Sequence, residues 1–423
     1  MKFLFVTIES LSADLAWQLK KEGHEVRLYC HDAPEKDVGN GLFDKVEEWE
    51  SNKDWADVII FDDVGFGPKA DQLRKEGKFV VGGSAYTDRL EFDREFGQSE
   101  LKQAGVNILP SWNFQSFDEA AELVRANPDR YVLKPSGKAQ NEKELLFIGQ
   151  DEDGKDLLLV FEHYKNNWSK KIKEFLVQKY AEGVEVAVGA FFNGKDFVLP
   201  VNVNFEHKRL FPNELGPSTG EMGTFCYWTR SNPVFENTLL KMKEKLAASG
   251  YVGYIDINCI ANGRGIWPLE FTSRFGYPTI SIQMEGITSE WGAFLADMAQ
   301  GKETSLKTKK GYQVGVVVAI PPWPFEDEKA FKKYSEGATI LFRKQNLDGV
   351  HIGEVKLEEG DWHIAGTSGY ALVITGSGPT VADAIRETYQ RVRNVMIPNM
   401  FYRDDIGQRW IHDSDMLLSW GYL

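Results

Sequence analysis

Residues 268–278, PLEFTSRFGYP, set a carboxylate, Glu270, and four positions later a guanidinium, Arg274, at the end of an apolar run. This run is the second arm of GYIDINCIANGRGIWPLEF, in which Asn262-Gly263 is a strong hairpin turn. Strand side chains alternate between faces, so Asp256 shares a face with Asn258, and Glu270 with Thr272. If the turn sets the register that brings the two arms together here, the four line one surface. Two carboxylates with neutral oxygen donors beside them suit a hard cation such as Mg²⁺, which usually shares its coordination with substrate phosphates. Arg274 adds a positive charge nearby. A surface hairpin with an ordinary salt bridge is the other reading of the same residues.

LGPSTGEMG, 215–223, is a second candidate. Gly216, Gly220 and Gly223 permit positive φ and close backbone approach, and Pro217, Ser218 and Thr219 lie between them, as in a loop that grips an anion or small substrate. Just before it stand His207, Lys208 and Arg209. Lys134 closes the apolar strand YVLKPSG and can aim an ammonium at a phosphate outside a sheet; a solvated strand end is the alternative. Arg94 sits on a charged helical stretch. The seven histidines form no HExxH or HxH, and the three cysteines no CxxC pair, so neither a zinc site nor a disulfide framework is expected.

The elements that must position these residues follow from pattern. Over the first hundred residues, buried-strand runs (KFLFVTI, EVRLYC, DVIIFDD, KFVVGG) alternate with helical stretches, which predicts an open, mostly parallel sheet. DRLEFDREFGQSELKQAG then reads as one charged helix ending at Gly105, and FDEAAELVRAN as another. EFLVQKYAEG and VEVAVGAFFNGKDFVLPVNVNF read as antiparallel strands with a turn at Asn193-Gly194. A helix is expected near 234–249 and a linker at 307–311. Beyond it, YQVGVVVAIPPWPF and YALVITGSG read as strands, and TVADAIRETYQRVRN as a helix capped by Thr380. The fold class expected is α/β and α+β multidomain. A net charge of −14 disfavours nucleic acid and anionic membrane surfaces. No run approaches the ~18 apolar residues of a membrane span. A cytoplasmic protein with small-molecule partners is expected.

With those residues in hand, the chain resembles the ATP-grasp superfamily and, within it, the phosphoribosylamine–glycine ligase (glycinamide ribonucleotide synthetase) family of purine biosynthesis. The family's HKR followed by GPNTGGMG resembles His207-Lys208-Arg209 followed by GPSTGEMG; its EFNCRFGDPE resembles EFTSRFGYPT; its terminal RxDIGxR resembles RDDIGQR, 403–409. The resemblance implies an N-terminal α/β domain (1–104), an ATP-grasp domain (105–306, with a smaller nucleotide lobe at roughly 112–190) and a small C-terminal α+β lobe (307–423). It implies a ligase that uses ATP and Mg²⁺ (Mn²⁺ being possible) to make an acyl phosphate of a carboxylate, here glycine. An amine then attacks, either phosphoribosylamine or another.

Residue by residue, the resemblance puts Glu270 at the Mg²⁺-ligating glutamate and Thr272 at an asparagine ligand, with Asp256 or Asn258 compensating. Lys134 matches the lysine entering the ATP lid, and Arg94 a phosphate-contacting lysine. Gln178, Lys179 and Tyr180 match the adenine hinge, and Glu185 the acid of the following GxE pattern. Arg274 matches the substrate-side arginine, and Lys208 and Arg209 join it as catalytic candidates. Gly216 to Gly220 are expected at the substrate. The chain departs from the family where GNGGREHA, a loop expected near the phosphoribosyl group, is replaced by TIESLSAD. It also departs in the lid, PSGKAQNEKE, which keeps only Gly137, and at Tyr277 and Thr279, which replace two acids. The lid and Thr272 keep a second reading open, a non-catalytic ATP-binding regulatory protein on the same fold.

Overall fold

The computed structural model describes residues 1–136 and 146–423; the lid position Gly137 lies outside them. Strands β1 (Lys2–Thr7), β2 (Glu25–Cys30), β3 (Asp44–Lys45), β4 (Val58–Phe61) and β5 (Val80–Val81) form one sheet in the order β3-β2-β1-β4-β5. Every pairing in it is parallel. Phe3, Leu4, Phe5 and Val6 are all buried, which is why β1 is an unbroken apolar run. Helices α1 (Ala13–Lys21) and α2 (Gly67–Lys75) follow β1 and β4. The strand order reverses between β1 and β4, so a crevice is expected beyond their carboxyl ends.

The charged stretch after residue 84 is two helices rather than one, α3 (Ala85–Phe92) and α4 (Arg94–Gln103). Asp93 leaves helical backbone (φ −112°, ψ 91°), and its side chain accepts the Phe96 N–H. One residue thus ends α3 and caps α4. The break makes Arg94 the first residue of α4.

A small lobe follows: β6 (Ser111–Phe114), α5 (Phe117–Ala126), β7 (Tyr131–Pro135), β8 (Phe147–Ile148), α6 (Lys155–Lys171) and β9 (Phe175–Lys179). Its strands run antiparallel in the order β6-β9-β7-β8. It has its own core, in which Phe117 stacks on Phe175 with ring centroids 4.6 Å apart.

The rest of the chain supplies β10 (Val184–Asn193), β11 (Phe197–Glu206), β12 (Arg209–Phe211), β13 (Leu215–Ser218), β14 (Gly223–Thr229), β15 (Val252–Asn262), β16 (Gly265–Thr272) and β17 (Tyr312–Ala319). Then come β18 (Thr339–Phe342), β19 (Val350–Ile352), β20 (Val355–Glu358), β21 (Asp361–Ile364), β22 (Tyr370–Gly378) and β23 (Val395–Met396). Eight strands make one sheet in the order β16-β15-β10-β11-β14-β17-β22-β19. The sheet continues across residue 307: β17, β22 and β19 extend it through the β14–β17 pairing. The residues after 307 also form a second sheet, β20-β21-β18-β23. The helix expected near 234–249 is broken into α7 (Pro233–Asn237), a 3₁₀ turn and α8 (Lys243–Ala248), because Thr238 leaves helical backbone at φ −128°, ψ −90°. Among the described residues no helix is long and apolar enough to cross a membrane.

Candidate active site

The β15–β16 hairpin turns at Gly263-Arg264, and its register sets Asn258 opposite Glu270 and Asp256 opposite Thr272. Alternation carries this polar face across the sheet: Ala187 on β10 pairs with Asn258 on one side and with Asn204 on the other. Glu185, two residues from Ala187, and Glu206, two from Asn204, therefore share the face with Asn258 and Glu270. Four acidic or amide side chains from four adjacent strands meet there.

Lys208 completes the cluster. Its ammonium lies 2.8 Å from Glu185 Oε1, 3.1 Å from Glu206 Oε2 and 3.9 Å from Glu270 Oε1. Asn258 Nδ2 donates to Glu185 (3.1 Å) and Glu206 (2.9 Å), while its Oδ1 is buried without a partner. Burial works against the Lys208 ammonium, but Glu185 and Glu206 outweigh it and raise its pKa well above the usual lysine value. The glycine-rich stretch holds this lysine in place. Thr219 donates to the Lys208 carbonyl from both its N–H (2.7 Å) and its hydroxyl (3.0 Å), and Met222 N–H to the His207 carbonyl (2.8 Å). Gly216, at φ +81°, lets β13 turn back and pair with β12, with Arg209 opposite Ser218. Pro217 and Ser218 lie in β13, and Gly220 is exposed beyond it. Arg209, expected in the chemistry, instead donates to the Gly216 carbonyl at 2.9 Å and braces this ribbon.

Across from Glu270 stands Arg94, whose guanidinium lies 3.3 Å from Glu270 Oε2. The small lobe faces the same space. Its sheet turns Ser111, Lys134, Leu176 and Gln178 to one side, and these line a cleft of about 240 Å³ with Arg94, Gln98 and Leu269. Burial, then Arg94, pulls the Lys134 pKa down to about 8, against the opposing pull of Glu270. Gln178 is 2% exposed. Lys179 and Tyr180 are not brought to the cleft by their side chains. Lys179, of opposite parity on β9, ion-pairs with Asp129 at 2.6 Å, and the Tyr180 ring lies 3.6 Å under the Arg130 guanidinium. Their N–H groups are also taken, by the Pro110 and Arg130 carbonyls.

Asp256 and Arg274 look elsewhere. Asp256 Oδ2 accepts from Asn204 (2.9 Å) and Tyr254 (3.0 Å), and burial, then Glu206, pushes its carboxyl up to about 7. The strand ends at Thr272, and Arg274 turns to the crevice at the ends of β1 and β4. Its guanidinium lies 3.3 Å from Glu91 and 3.6 Å from Asp63. Glu270 and Arg274 therefore serve two different spaces. The carboxylates missed by sequence reasoning are Glu206, Glu91 and Asp63; Asp63 ends an apolar strand beside Asp62, and Glu206 and Glu91 sit among other charged residues, without a spacing to single them out. Among the described residues no group of three or more His, Cys, Asp or Glu is placed to hold a metal ion. The donor pair that does suit a hard cation is Glu270 with the unpartnered Asn258 Oδ1.

The C-terminal RDDIGQR motif locks the cluster from behind. Arg403, 1% exposed, donates to the Arg209 carbonyl at 2.9 Å and pairs with Asp405 (2.7 Å) and Glu214 (2.8 Å). Arg409 donates to the Glu206 carbonyl (2.8 Å), and Gly407 N–H to His207 Nε2 (3.4 Å). His207 is buried and held neutral, its pKa pulled down to about 3 by burial and then by Arg409.

Residues 92–280 match the family model of the phosphoribosylglycinamide synthetase ATP-grasp (A) domain. Phosphoribosylamine–glycine ligase of Clostridium acetobutylicum is 24% identical over 435 residues, covering 96% of this chain and all of that one. The ligase of the same name from Streptococcus pneumoniae is 24% identical over 351 residues, 81% of each chain. The crystal structure of phosphoribosylamine–glycine ligase from Thermotoga maritima superposes with a TM-score of 0.73 at 20% identity, over 96% of this chain and 100% of that one. A biotin carboxylase from Campylobacter jejuni shares the fold at a TM-score of 0.64 and 12% identity, over 100% of this chain and 97% of that one. Residues 92–280 thus match an ATP-grasp domain, and the chain is similar to phosphoribosylamine–glycine ligase along nearly its whole length.

Proposed function

We propose that the chain is an ATP-dependent carboxylate–amine ligase that works through an acyl phosphate, with glycine as the carboxylate that the names of its relatives indicate. One observation carries the reading. Lys134 and Arg94, from the small lobe and α4, line one cleft, and Glu270 of the large sheet, 3.3 Å from Arg94 and 3.9 Å from Lys208, joins that cleft to the cluster around Lys208. Three cations thus stand around Glu270 and the cleft, and the carboxylates that hold Arg94 and Lys208 can release them as phosphates arrive. At an effective dielectric of ~20, a unit pair at 4 Å is worth about 4 kcal/mol, so exchanging a carboxylate for a phosphate partner is within reach.

In this reading Gln178 reads the base from the small lobe, and Lys134 and Arg94 grip phosphates; that all three line the cleft supports it. Glu270 and Asn258 Oδ1 would hold Mg²⁺ on the opposite wall. Bound Mg²⁺ supplies charge neutralisation to the phosphates. Lys208, whose carbonyl is anchored by Thr219, steadies the carboxylate in this reading as it takes the phosphoryl group. The amine nitrogen then attacks the acyl carbon, the carbon–oxygen bond to phosphate breaks, and the nitrogen loses a proton. ADP and phosphate leave.

The test is ADP release measured with ATP, Mg²⁺, glycine and a panel of amines. Release that needs both carboxylate and amine supports the ligase. Tight MgATP binding with no turnover for any pair would instead favour a regulatory ATP-binding protein.

A further inference from the structure

The helix pair α3–α4 lies along β16 and the segment after it, and touches that stretch once per helical turn. Gln98 Nε2 donates to the Pro268 and Leu269 carbonyls (3.2 and 3.1 Å), and Arg94 meets Glu270 at 3.3 Å. On α3, Glu91 Oε2 accepts the Ser273 N–H at 2.7 Å, and its Oε1 lies 3.3 Å from Arg274 Nη2. Ser273, 1% exposed, also donates from its hydroxyl to the Thr87 carbonyl at 2.8 Å. Residues 87, 91, 94 and 98 thus form one stripe at helical spacing, kept in line across the Asp93 break.

The stripe holds two ion pairs of opposite sense. On α4 an arginine meets the glutamate of the strand; on α3 a glutamate meets the arginine beyond it. Glu270 and Arg274 are thereby drawn apart, the first toward Arg94 and the cleft, the second into the crevice beyond β1 and β4. An open parallel sheet takes its ligands at such a crevice.

Within the crevice the Arg274 guanidinium is oriented at each nitrogen. Nη1 donates to the Phe275 carbonyl at 2.9 Å, while Nε lies 3.6 Å from Asp63 Oδ1 and has no hydrogen-bond partner. The Asp63 contact is the longer of the two ion pairs, so Glu91 is the carboxylate that sets the place of the guanidinium. Burial raises the Glu91 carboxyl, and Arg274 opposes that. Both Glu91 oxygens face donors, so a carboxyl proton would find no acceptor, and the ionised form is the one that fits. Burial also works against the Arg274 charge, but Glu91, then Asp63, outweigh it.

We infer that Glu91 is a positioning residue for the amine substrate: it holds the Arg274 guanidinium in the crevice, on the amine side of the reaction, and away from Glu270. The inference rests on the ligase reading, in which nucleotide and metal fill the cleft and leave the crevice to the amine. Glu91 acts through Arg274.

Nuclear magnetic resonance of the arginine side-chain N–H groups reads this placement in the ligand-free, full-length protein. The buried Arg274 Nε–H should exchange slowly enough to be seen, and its disappearance in Arg274→Lys assigns it. Glu91→Gln, nearly the same in shape, should remove or shift that signal, and Glu91→Asp should recover part of it. Ser273→Ala, which takes a hydroxyl from the same stripe but leaves the ion pair, should keep it. In ADP release with ATP, Mg²⁺, glycine and 2-aminoethanol, Glu91→Gln should raise the amine KM about tenfold and leave the KM for ATP within about twofold. An Arg274 signal unchanged in Glu91→Gln overturns the inference. So does a displaced signal with an unchanged amine KM, which would make Glu91 structural alone. If no amine gives ADP release, the ligase reading fails instead, and the resonance comparison by itself decides whether Glu91 places the guanidinium.

Discussion

Asn258 stands directly across from Glu270 on the neighbouring strand, and its Oδ1 is buried without a hydrogen-bond partner. Its Nδ2, by contrast, is fully used by Glu185 and Glu206. The amide is thus oriented by two acids, with an acceptor left over beside a third. A buried acceptor left unpaired costs on the order of 1–3 kcal/mol, and a bound cation would recover it. Asn258→Ala should therefore raise the Mg²⁺ concentration needed for half-maximal rate about tenfold, and Glu270→Ala should abolish Mg²⁺-dependent turnover with an unchanged circular dichroism spectrum. Magnesium titrations of ADP release check both. A normal Mg²⁺ requirement in Asn258→Ala would remove this residue from the metal site.

Lys134 offers a pH handle. Its pKa lies near 8, below the usual lysine value, through burial and the neighbouring Arg94. Only the protonated form attracts phosphate, so ATP affinity should fall as pH rises from 7 to 9, and Mg²⁺ should not restore it. Lys134→Ala should bind ATP about tenfold more weakly and lose this pH dependence. Nucleotide titrations at several pH values, wild type against variant, read both. An ATP affinity flat across the range in the wild-type protein would place Lys134 away from the phosphates.

Much of this arrangement was legible in the sequence, and the limits are physical. The hairpin was legible, and Asp256, Asn258, Glu270 and Thr272 do share a face, but the turn falls one residue later, at Gly263-Arg264, and a bulge between Asn258 and Cys259, which no local pattern announces, is what sets Asn258 opposite Glu270. The same parity could have warned that Lys179 and Gln178 point opposite ways on β9. Asp93 hid the break between α3 and α4 because a capping aspartate in a charged stretch looks like any other exposed acid. Direction after a strand ends has no periodicity to follow, so Arg274 was read beside Glu270 although it belongs to the other crevice. The continuation of the large sheet past residue 307 depends on long-range pairing of β14 with β17, about which local pattern says nothing.

Arg403 ties the C-terminal motif to the catalytic segment. Its guanidinium is almost wholly inside the protein and satisfies Asp405, Glu214 and the Arg209 carbonyl together. Removing Arg403 leaves Asp405 and Glu214, both reached by water, without their partner and the Arg209 carbonyl without its donor, at a cost of about 1–3 kcal/mol. Arg403→Ala should lower the thermal unfolding midpoint markedly and slow turnover, because the backbone carrying Lys208 loses its clamp. Arg403→Lys should recover little, since an ammonium cannot reproduce the two-toothed contact with Asp405. Calorimetric scans of both variants test this, and a midpoint unchanged in Arg403→Ala would refute it.

A second carboxylate pair couples stability to pH. Glu354 accepts from the Ser368 and Gly369 N–H groups (2.9 and 3.0 Å), and Glu35 from the Thr367 hydroxyl (3.3 Å), so the N-terminal sheet and the segment before β22 meet through two acids. Burial lifts Glu354 to about 8 and Glu35 to about 7, each made worse by a neighbouring acid, Glu35 on Glu354 and Glu9 on Glu35. Both are raised above the ordinary value of 4.5, so the folded state binds more protons than the unfolded chain. Their stabilisation is therefore complete below about pH 4.5 and is lost as pH rises through 7 to 8. Other carboxylates act in the opposite sense at the acid end, so the sign is read above pH 5. The unfolding midpoint should fall between pH 5 and pH 8, and Glu354→Gln, which fixes a neutral group there, should flatten that fall. A midpoint that rises over this range in the wild-type protein, or the same slope in the variant, would show that the pair does not carry the effect.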